Sequence, residues 1–465
     1  MRRRTKCIGA GSVELETGSQ PADRSPFGGV GRDWRVLLLV STALAAAAPL
    51  AAQDPARQDT LRLTLREAQR LALERSPSFL ADLEERDIAR ADLRQARVLP
   101  FNPRIELATP GAATDGGFGR YEAALSQEIE WAGQRGLRID AAESGVRRAA
   151  STVRDAARRT VAETSEAYYT ALAAARTLEV AEEILSANER LLAAVRTQLG
   201  EGEISTLEAS LAEIEVARAR GRVLGARREA RSSELALTRT IGLAPYTPIQ
   251  LVREVPEAPE ATTLRPDSLL QVALERRPDL AVSEAAVAEL EASARLVRRE
   301  AVPNLEISAL AEREESFGES RFGVGVAFPV PLWNRNQGTA DRVDAEARQS
   351  AWSRNAVEVQ VRTEVADAYQ AYLAASEEAA IFERDVLRPA RQNQQLLETA
   401  YREGKIDLTA LLLLRNQLLD AELSYWDSWL AHRRSLIALQ AATATIGTGL
   451  GEIDGDVEQR WRVNR

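Results

Sequence analysis

The chain is nearly devoid of the residues that build metal centres and many catalytic sites. Its 465 residues include one cysteine, one histidine and one methionine, and the only lysines are Lys6 and Lys405. One cysteine cannot form an intrachain disulfide or a zinc ribbon. One histidine excludes a multi-histidine metal site and disfavours a histidine-based catalytic centre. The formal net charge of -9 disfavours nucleic-acid binding, which needs clustered positive charge. We therefore expect no enzyme, no catalytic residues, no metal ligands, no cofactor and no nucleic-acid partner.

Aromatic residues are also sparse, at 5% of the chain. Alanine, leucine, glutamate and arginine dominate instead. Such a composition is typical of long helices that pack through narrow seams. We therefore expect a mainly helical fold.

The segment 1–53 is predicted to be an N-terminal extension that ends in a signal peptide. An apolar run over 36–50 follows Arg32 and Arg35 and leads into small residues, which is the order of regions in a secretory signal. The run is short for a membrane-spanning helix. Because Cys7 precedes the run, the exported chain would contain no thiol, which suits an oxidising compartment.

The remainder of the chain contains two copies of one repeat, joined by a linker. Three segments recur in order at a spacing of 201 or 202 residues: 72–77 at 273–278, 167–168 at 368–369, and 202–204 at 404–406. Matches in register indicate an internal duplication, with a period far longer than that of a solenoid. The predicted parts are a first repeat at 54–243, a proline-rich linker at 244–266, a second repeat at 267–445 and a tail at 446–465.

Each repeat contains a segment in which apolar residues alternate with polar or small ones. These segments are 103–131 and 303–332. The apolar positions of the last predicted strand are Phe322, Val324, Val326, Phe328, Val330 and Leu332. Alternation over about ten residues is typical of transmembrane β-strands, so each segment predicts a β-hairpin in the membrane. An amphipathic hairpin on a soluble core is the alternative.

A pair of long helices follows each hairpin. The proline-free stretch from about 137 to 200 predicts a rod on the order of 95 Å. Apolar residues spaced three and four apart predict coiled-coil seams, and they include Leu192, Leu199, Ile204, Leu207, Leu211 and Ile214 in the first repeat and Leu411, Leu414 and Leu418 in the second. The helices are predicted to reverse at tips near 200–205 and 402–407.

Four strands per chain cannot close a barrel, and an open edge in lipid leaves backbone groups unpaired. Two copies would give eight strands, too narrow for a water-filled lumen, whereas three copies would give twelve. The sequence therefore predicts a mixed, mainly α fold. Its duplicated antiparallel coiled-coil helices form an α-barrel tunnel, and its two transmembrane β-hairpins contribute four strands to a trimeric 12-stranded β-barrel.

Three segments resemble motifs of the TolC family of outer-membrane efflux proteins, within a likeness that spans about 60–445. They are LPFNP at 99–103, LSQEIEWAGQR at 125–135 and FPVPLWNRNQG at 328–338. The last two are similar to the heavy-metal (CzcC-like) branch. The resemblance implies a homotrimer in the outer membrane of a Gram-negative-type bacterium, with helices that extend into the periplasm. It also implies outer-membrane lipid, a periplasmic membrane-fusion adaptor and an inner-membrane RND pump as partners.

The helical tips are the predicted adaptor-docking and gating end. Their candidate residues are Gly202, Ile204, Gly404, Ile406 and Asp407, with Glu203 and Glu208 as candidate pore acids. Some family members carry aspartate rings just after the second tip glycine. The corresponding positions here are Ala410 and Leu413, so the resemblance does not carry over an acidic gate.

The sequence also predicts the surroundings of three aromatic side chains. Trp131 and Trp333 end strands and are predicted membrane-interface residues, with packing at the shoulder of the barrel as the alternative. His432 follows two tryptophans at helical spacing, which favours a packed or capping histidine over a metal ligand.

The predicted function is a passive exit duct in a tripartite RND-type efflux system, with heavy-metal cations as one candidate cargo. Type I protein secretion and drug efflux through the same duct are the alternatives within transport. A coiled-coil scaffold of the envelope is the alternative outside transport. A scaffold has no use for four alternating strands of membrane length, so the strands favour the duct.

Overall fold

The computed structural model describes residues 60–108, 120–252, 264–314 and 319–447. The predicted signal peptide, the middle of the predicted linker and most of the predicted tail lie outside these ranges.

The described elements of the first half are β1 (Leu61–Leu63), α1 (Leu65–Arg75), α2 (Pro77–Arg97), β2 (Arg104–Ala108), β3 (Arg120–Ile129), α3 (Gln134–Gly200) and α4 (Thr206–Thr240). Those of the second half are β4 (Ile249–Leu251), α5 (Pro266–Arg276), α6 (Pro278–Arg299), β5 (Leu305–Glu314), β6 (Ser320–Ala327), α7 (Gln337–Ile381), α8 (Arg388–Arg402) and α9 (Leu408–Ala442). A π-helical segment, Phe382–Leu387, joins α7 to α8. The second half therefore repeats the helix, hairpin and long-helix order of the first.

Local signals explain where the helices begin. Thr64 and Glu67 form a capping box, in which each side chain accepts a hydrogen bond from the backbone N–H of the other residue. Pro77 and Pro278 occupy the first helical positions of α2 and α6, where a missing N–H costs nothing. The α3 helix then continues for 67 residues, which corresponds to about 100 Å.

The hairpins pair into one antiparallel sheet in the order β2-β3-β5-β6. The register places apolar positions of all four strands on one side: Ile105 lies opposite Leu125, Leu125 opposite Ala309, and Ala309 opposite Val324. Because side chains alternate along a strand, the intervening polar residues share the other side. Within the described residues, β2 and β6 are paired along one edge only.

The last strand is shorter than predicted. β6 ends at Ala327, whereas the alternation of apolar residues continues to Leu332. Pro329 and Pro331 lie in the unpaired part, and a proline has no N–H to donate to a neighbouring strand.

The predicted linker contains a short strand, β4, which forms a parallel pair with a strand at the start of the first repeat. β4 pairs with β1, with Leu61 opposite Ile249 and Leu63 opposite Leu251. The hydroxyl of Tyr168 donates to the carbonyl oxygens of Leu63 at 3.1 Å and Val252 at 2.7 Å, although one hydroxyl has a single proton to share between them. This part of the linker is therefore attached to the long helix α3.

The α5–α6 junction contains a buried ion-pair cluster. The Arg277 guanidinium donates to Asp279 at 2.5 Å and 2.9 Å and to Glu364 on α7 at 2.5 Å. Its side chain is 3% exposed. Burial opposes the charge, yet the hydrogen bonds to both carboxylates leave the pKa of Arg277 above its ordinary value. The cluster ties the start of α6 to α7.

Candidate functional site: helical tips and strand sheet

The two tips have the same backbone geometry. Gly202 and Gly404 have φ of 77° and 69°, in the left-handed region that glycine adopts without steric cost. At the first tip Glu203 N–H donates to Gln198 O at 2.9 Å, and at the second Lys405 N–H donates to Ala400 O at 2.8 Å. These are the hydrogen bonds of a Schellman motif, which satisfies carbonyls that the ending helix leaves free.

A carboxylate accepts a hydrogen bond from a backbone N–H at the N-terminus of each helix that follows a tip, α4 and α9. Glu208 accepts from Ser205 N–H at 2.8 Å in a capping box, and Asp407 accepts from Ala410 N–H at 2.7 Å. Lys405 forms an ion pair with Glu403 at 2.5 Å on the exposed surface. Two of the predicted tip acids, Glu208 and Asp407, thus have a local role in starting a helix.

The two tips pack against each other. Ile204 and Ile406 both border one apolar cluster, whose buried members are Val195, Ala209, Ala212, Leu408, Leu411 and Leu412. The Tyr401 hydroxyl donates to Gln198 Oε1 at 3.3 Å across the tips. Burial, followed by the charge of Glu208, raises the pKa of Tyr401. The structure therefore brings the tips of the two repeats together through apolar contact.

The seam residues differ in part from those predicted. Alanines and valines of α4 are buried against the chain, namely Ala209, Ala212, Val216, Ala219 and Val223. Leu207 and Ile214, which were expected in this seam, are 69% and 47% exposed, and Leu414 of α9 is 37% exposed. Leu207, Ile214 and Leu414 therefore lie on an exposed face of the single chain, whereas Leu211 and Leu411 pack in the apolar cluster at the tips.

The apolar side of the sheet is open. Phe322 and Val324 are 83% and 90% exposed, and Leu107 is 75% exposed. Neighbouring large apolar side chains that are exposed in this way mark an interaction surface. Of the helices in the described ranges, none is long and apolar enough to cross a bilayer.

The opposite side of the sheet is acidic. By register it carries five glutamates and two arginines: Glu106, Glu122, Glu128, Glu306, Glu312, Arg104 and Arg321. Glu122 lies directly opposite Glu312, and Glu128 lies opposite Glu306. Like charges in opposed positions repel, so this side favours the approach of cations.

The tryptophans after the strands differ in their contacts. Trp131 Nε1 donates to Pro303 O at 2.9 Å, which joins the first repeat to the second. Nearby, the buried Gln134 donates through Nε2 to Val302 O at 3.2 Å. Trp333 is 86% exposed. The motif around Trp131 indicated a family resemblance, but only the tertiary structure identifies Gln134 as a residue that links the repeats.

His432 is packed among aromatic side chains, as expected. Its ring stacks on Tyr372 with centroids 5.5 Å apart. Burial, with a smaller effect from the Arg433 charge, lowers the pKa of His432. In the part of the chain that the structure describes, no group of three or more His, Cys, Asp or Glu side chains is placed to hold a metal ion.

The open apolar sheet and the paired long helices together define the fold of an outer-membrane channel. The outer membrane efflux protein family matches residues 68–243 and 269–445. The chain therefore belongs to the outer membrane efflux protein family, and it is an outer-membrane efflux channel.

Individual proteins that are similar to this chain include metal-resistance proteins and outer-membrane channels. The cobalt-zinc-cadmium resistance protein CzcC of Cupriavidus metallidurans is 27% identical over 366 residues, which are 78% of this chain and 85% of CzcC. The nickel-cobalt-cadmium resistance protein NccC of Alcaligenes xylosoxydans xylosoxydans is 29% identical over 278 residues, which are 58% of this chain and 61% of NccC. The crystal structure of the CmeC outer membrane channel of Campylobacter jejuni has a TM-score of 0.69 at 14% identity, over 82% of this chain and 85% of that one. This structural likeness shows the fold.

Proposed function

We propose that three copies of this chain form the exit duct of a tripartite RND-type efflux system that exports heavy-metal cations. The observation that carries the proposal is the four-stranded sheet with one apolar side and two open edges. An open sheet edge in lipid leaves N–H and C=O groups without partners, so the strands of several copies must close a common barrel. Twelve strands are the smallest multiple of four beyond eight, and they enclose a lumen wide enough for water.

Two observations support cations as cargo. The relatives CzcC and NccC are named for resistance to cobalt, zinc, nickel and cadmium. The polar side of the sheet, which would face the lumen, carries more glutamates than arginines. A lumen with excess negative charge raises the local concentration of cations and lowers that of anions.

The tips at Gly202 and Gly404, with Ile204, Ile406 and Asp407, form the proposed end for docking the adaptor and for gating. They reverse the chain between α3 and α4 and between α8 and α9, at the ends of the long helical hairpins. Glu203 and Glu208 remain proposed pore acids. Trp131 and Trp333 remain proposed residues of the membrane interface, where an aromatic ring tolerates both lipid and water.

The assembly is tested by mass measurement in detergent. The purified mature channel is expected to contain three chains per particle. A stable monomer that retains all four strands would contradict the trimer.

The cargo is tested in the producing bacterium after deletion of the gene. We expect cobalt, zinc, nickel or cadmium to accumulate in the deletion strain, and we expect the wild-type gene to restore the lower level. Accumulation of a dye but not of metal would support drug efflux instead. Loss of a secreted protein alone would support type I secretion, and no change in any of the three would refute the exit duct.

A further inference from the structure

The apolar side of the strand sheet ends in a row of polar side chains. On this side β5 presents Leu305, Ile307, Ala309, Ala311 and, last, Arg313. Tyr121 of β3 and Ser320 of β6 lie directly opposite Arg313 in the register, and all three residues are exposed. Among the paired positions on this side of the described strands, Arg313 is the only charged residue. A cation beside lipid is costly unless water or an anion solvates it.

This row lies at the end of the sheet that is remote from the helices. Ile129 and Leu305, which lie opposite each other, connect the strands to α3 and α6. Tyr121 and Ile129 are separated by about 26 Å along an extended strand, or about 20 Å of bilayer thickness at the usual strand tilt. The helices of this outer-membrane channel extend into the periplasm. The row therefore lies on the outer-leaflet side of the membrane.

A shallow apolar cavity of about 350 Å³ borders the row. Leu107, Ala123, Ala311 and Phe322 form the adjacent row of the sheet, with the two alanines in the middle. At the usual spacing of strands, Leu107 and Phe322 stand about 14 Å apart. The small alanine side chains leave room between them for hydrocarbon, so the cavity suits an acyl chain.

The side chains of the polar row suit a phosphate group. A guanidinium donates two parallel hydrogen bonds to a phosphate, and the hydroxyls of Tyr121 and Ser320 are further donors. Directly opposed residues have Cβ atoms about 5 Å apart, so one headgroup can contact all three side chains. Glu122 and Glu312 lie on the other side of the sheet, where Arg321 is opposite Glu312. The backbone of the sheet thus separates these carboxylates from an anion beside Arg313.

We infer that Tyr121, Arg313 and Ser320 bind a phosphate group of the glycolipid that forms the outer leaflet, with an acyl chain of the same lipid in the cavity beside Ala311. The phosphates of this glycolipid are monoesters, and a monoester offers three acceptor oxygens to the donors of the row. All of the residues belong to one chain. The site therefore depends neither on the number of copies in the channel nor on its cargo.

Titration of the purified channel in detergent with diphosphoryl lipid A, followed by native mass spectrometry, tests the site. We expect Arg313→Gln to weaken binding about ten-fold, because it removes a hydrogen-bonded charge pair. Arg321→Gln is the matched control: it removes the same charge from the polar side of the sheet at nearly the same depth, and it should leave binding unchanged. Arg313→Lys keeps the charge but loses the paired hydrogen bonds, so a several-fold loss is expected.

Changes in the lipid give a test that needs no variant. Lipid A without its phosphates keeps the acyl chains and should bind the wild type about as weakly as intact lipid A binds Arg313→Gln. Binding to Arg313→Gln should change little when the phosphates are removed, because both changes delete the same contact. Phosphatidylglycerol, whose phosphodiester has a single charge and two free oxygens, should bind the wild type more weakly than lipid A.

Three results would overturn the inference. Equal losses in Arg313→Gln and Arg321→Gln would show that lipid responds only to net charge. Undiminished binding of phosphate-free lipid A to the wild type would show that Arg313 is solvated by water alone. Binding of phosphatidylglycerol as tight as that of lipid A would overturn the assignment to the outer-leaflet glycolipid.

Discussion

The two repeats share the order of their elements but differ in single residues that decide their contacts. At the start of the second helix, the Ser76 hydroxyl of the first repeat bonds to the Ser78 hydroxyl two residues away, at 3.0 Å, whereas the equivalent Arg277 bonds to α7. The long helix of the first repeat is continuous, whereas that of the second is interrupted by the π-helical segment and followed by Pro389. Duplication therefore preserved the architecture, while substitutions set how firmly each copy is held.

The largest expected effect on stability is that of Arg277→Ala. The change removes the guanidinium from Asp279 and Glu364, whose side chains are 26% and 40% exposed, and the loss of hydrogen bonds to these charged groups costs about 2 kcal/mol. We expect a clear fall in the thermal unfolding midpoint of the purified channel. Ser76→Ala at the equivalent position removes one neutral hydrogen bond and should cost about 1 kcal/mol. An equal fall in the thermal unfolding midpoint of both variants would show that the two positions contribute equally to stability.

The next effect concerns the tips. Gly404→Val forces a side chain into the left-handed region, which costs about 1–2 kcal/mol and displaces the reversal of the chain. We expect export to be lost while trimer mass and membrane insertion stay unchanged. Metal accumulation in cells measures the export.

Gly221→Ala is the matched control, because Gly221 lies within α4 and a Cβ there meets no atom within 4 Å. Export by the control should equal that of the wild type. Normal export by Gly404→Val would show that the second tip is not the gating end.

A smaller effect is expected from multivalent cations at the tips. Apolar contacts join the tips, and Glu208 and Asp407 cap helices. A narrow ring of carboxylates would hold a bound cation and block current. We therefore expect micromolar trivalent cations on the periplasmic side to reduce single-channel conductance only weakly. Potent block that Glu208→Gln or Asp407→Asn abolishes would show that an acidic gate exists.

The smallest effect is a pH dependence that arises from His432. Burial holds its pKa below the ordinary value of 6.5, so the unfolded chain binds the proton more readily than the folded chain. Stability is thus fully present above pH 6.5 and falls as the pH drops below that value toward the folded pKa. His432→Phe keeps an aromatic ring against Tyr372 but removes the titration. The thermal midpoint of the variant should vary less between about pH 7 and about pH 5 than that of the wild type. An unchanged pH profile would assign the dependence to other groups.

Much of the fold was predictable because its signals are local. The capping box at Thr64, the reversals at Gly202 and Gly404 and the sides of the strands follow from residues close in sequence. The packing of His432 was also expected. The exposure of Leu207 and Ile214 was not, because spacing marks an apolar stripe without saying which neighbour covers it.

The sequence by itself determined the duplication, which is a recurrence of residues along the chain. It also determined the alternation within the strands and the positions of the turns, because these depend on the conformational preferences of neighbouring residues. The tertiary structure decided the pairing of β1 with β4, the joining of the hairpins through β3 and β5, and the contacts of Gln134 and Arg277. These join residues that are far apart in the chain. Their free energy depends on burial and on hydrogen-bond geometry, and both exist only after the helices and strands have packed.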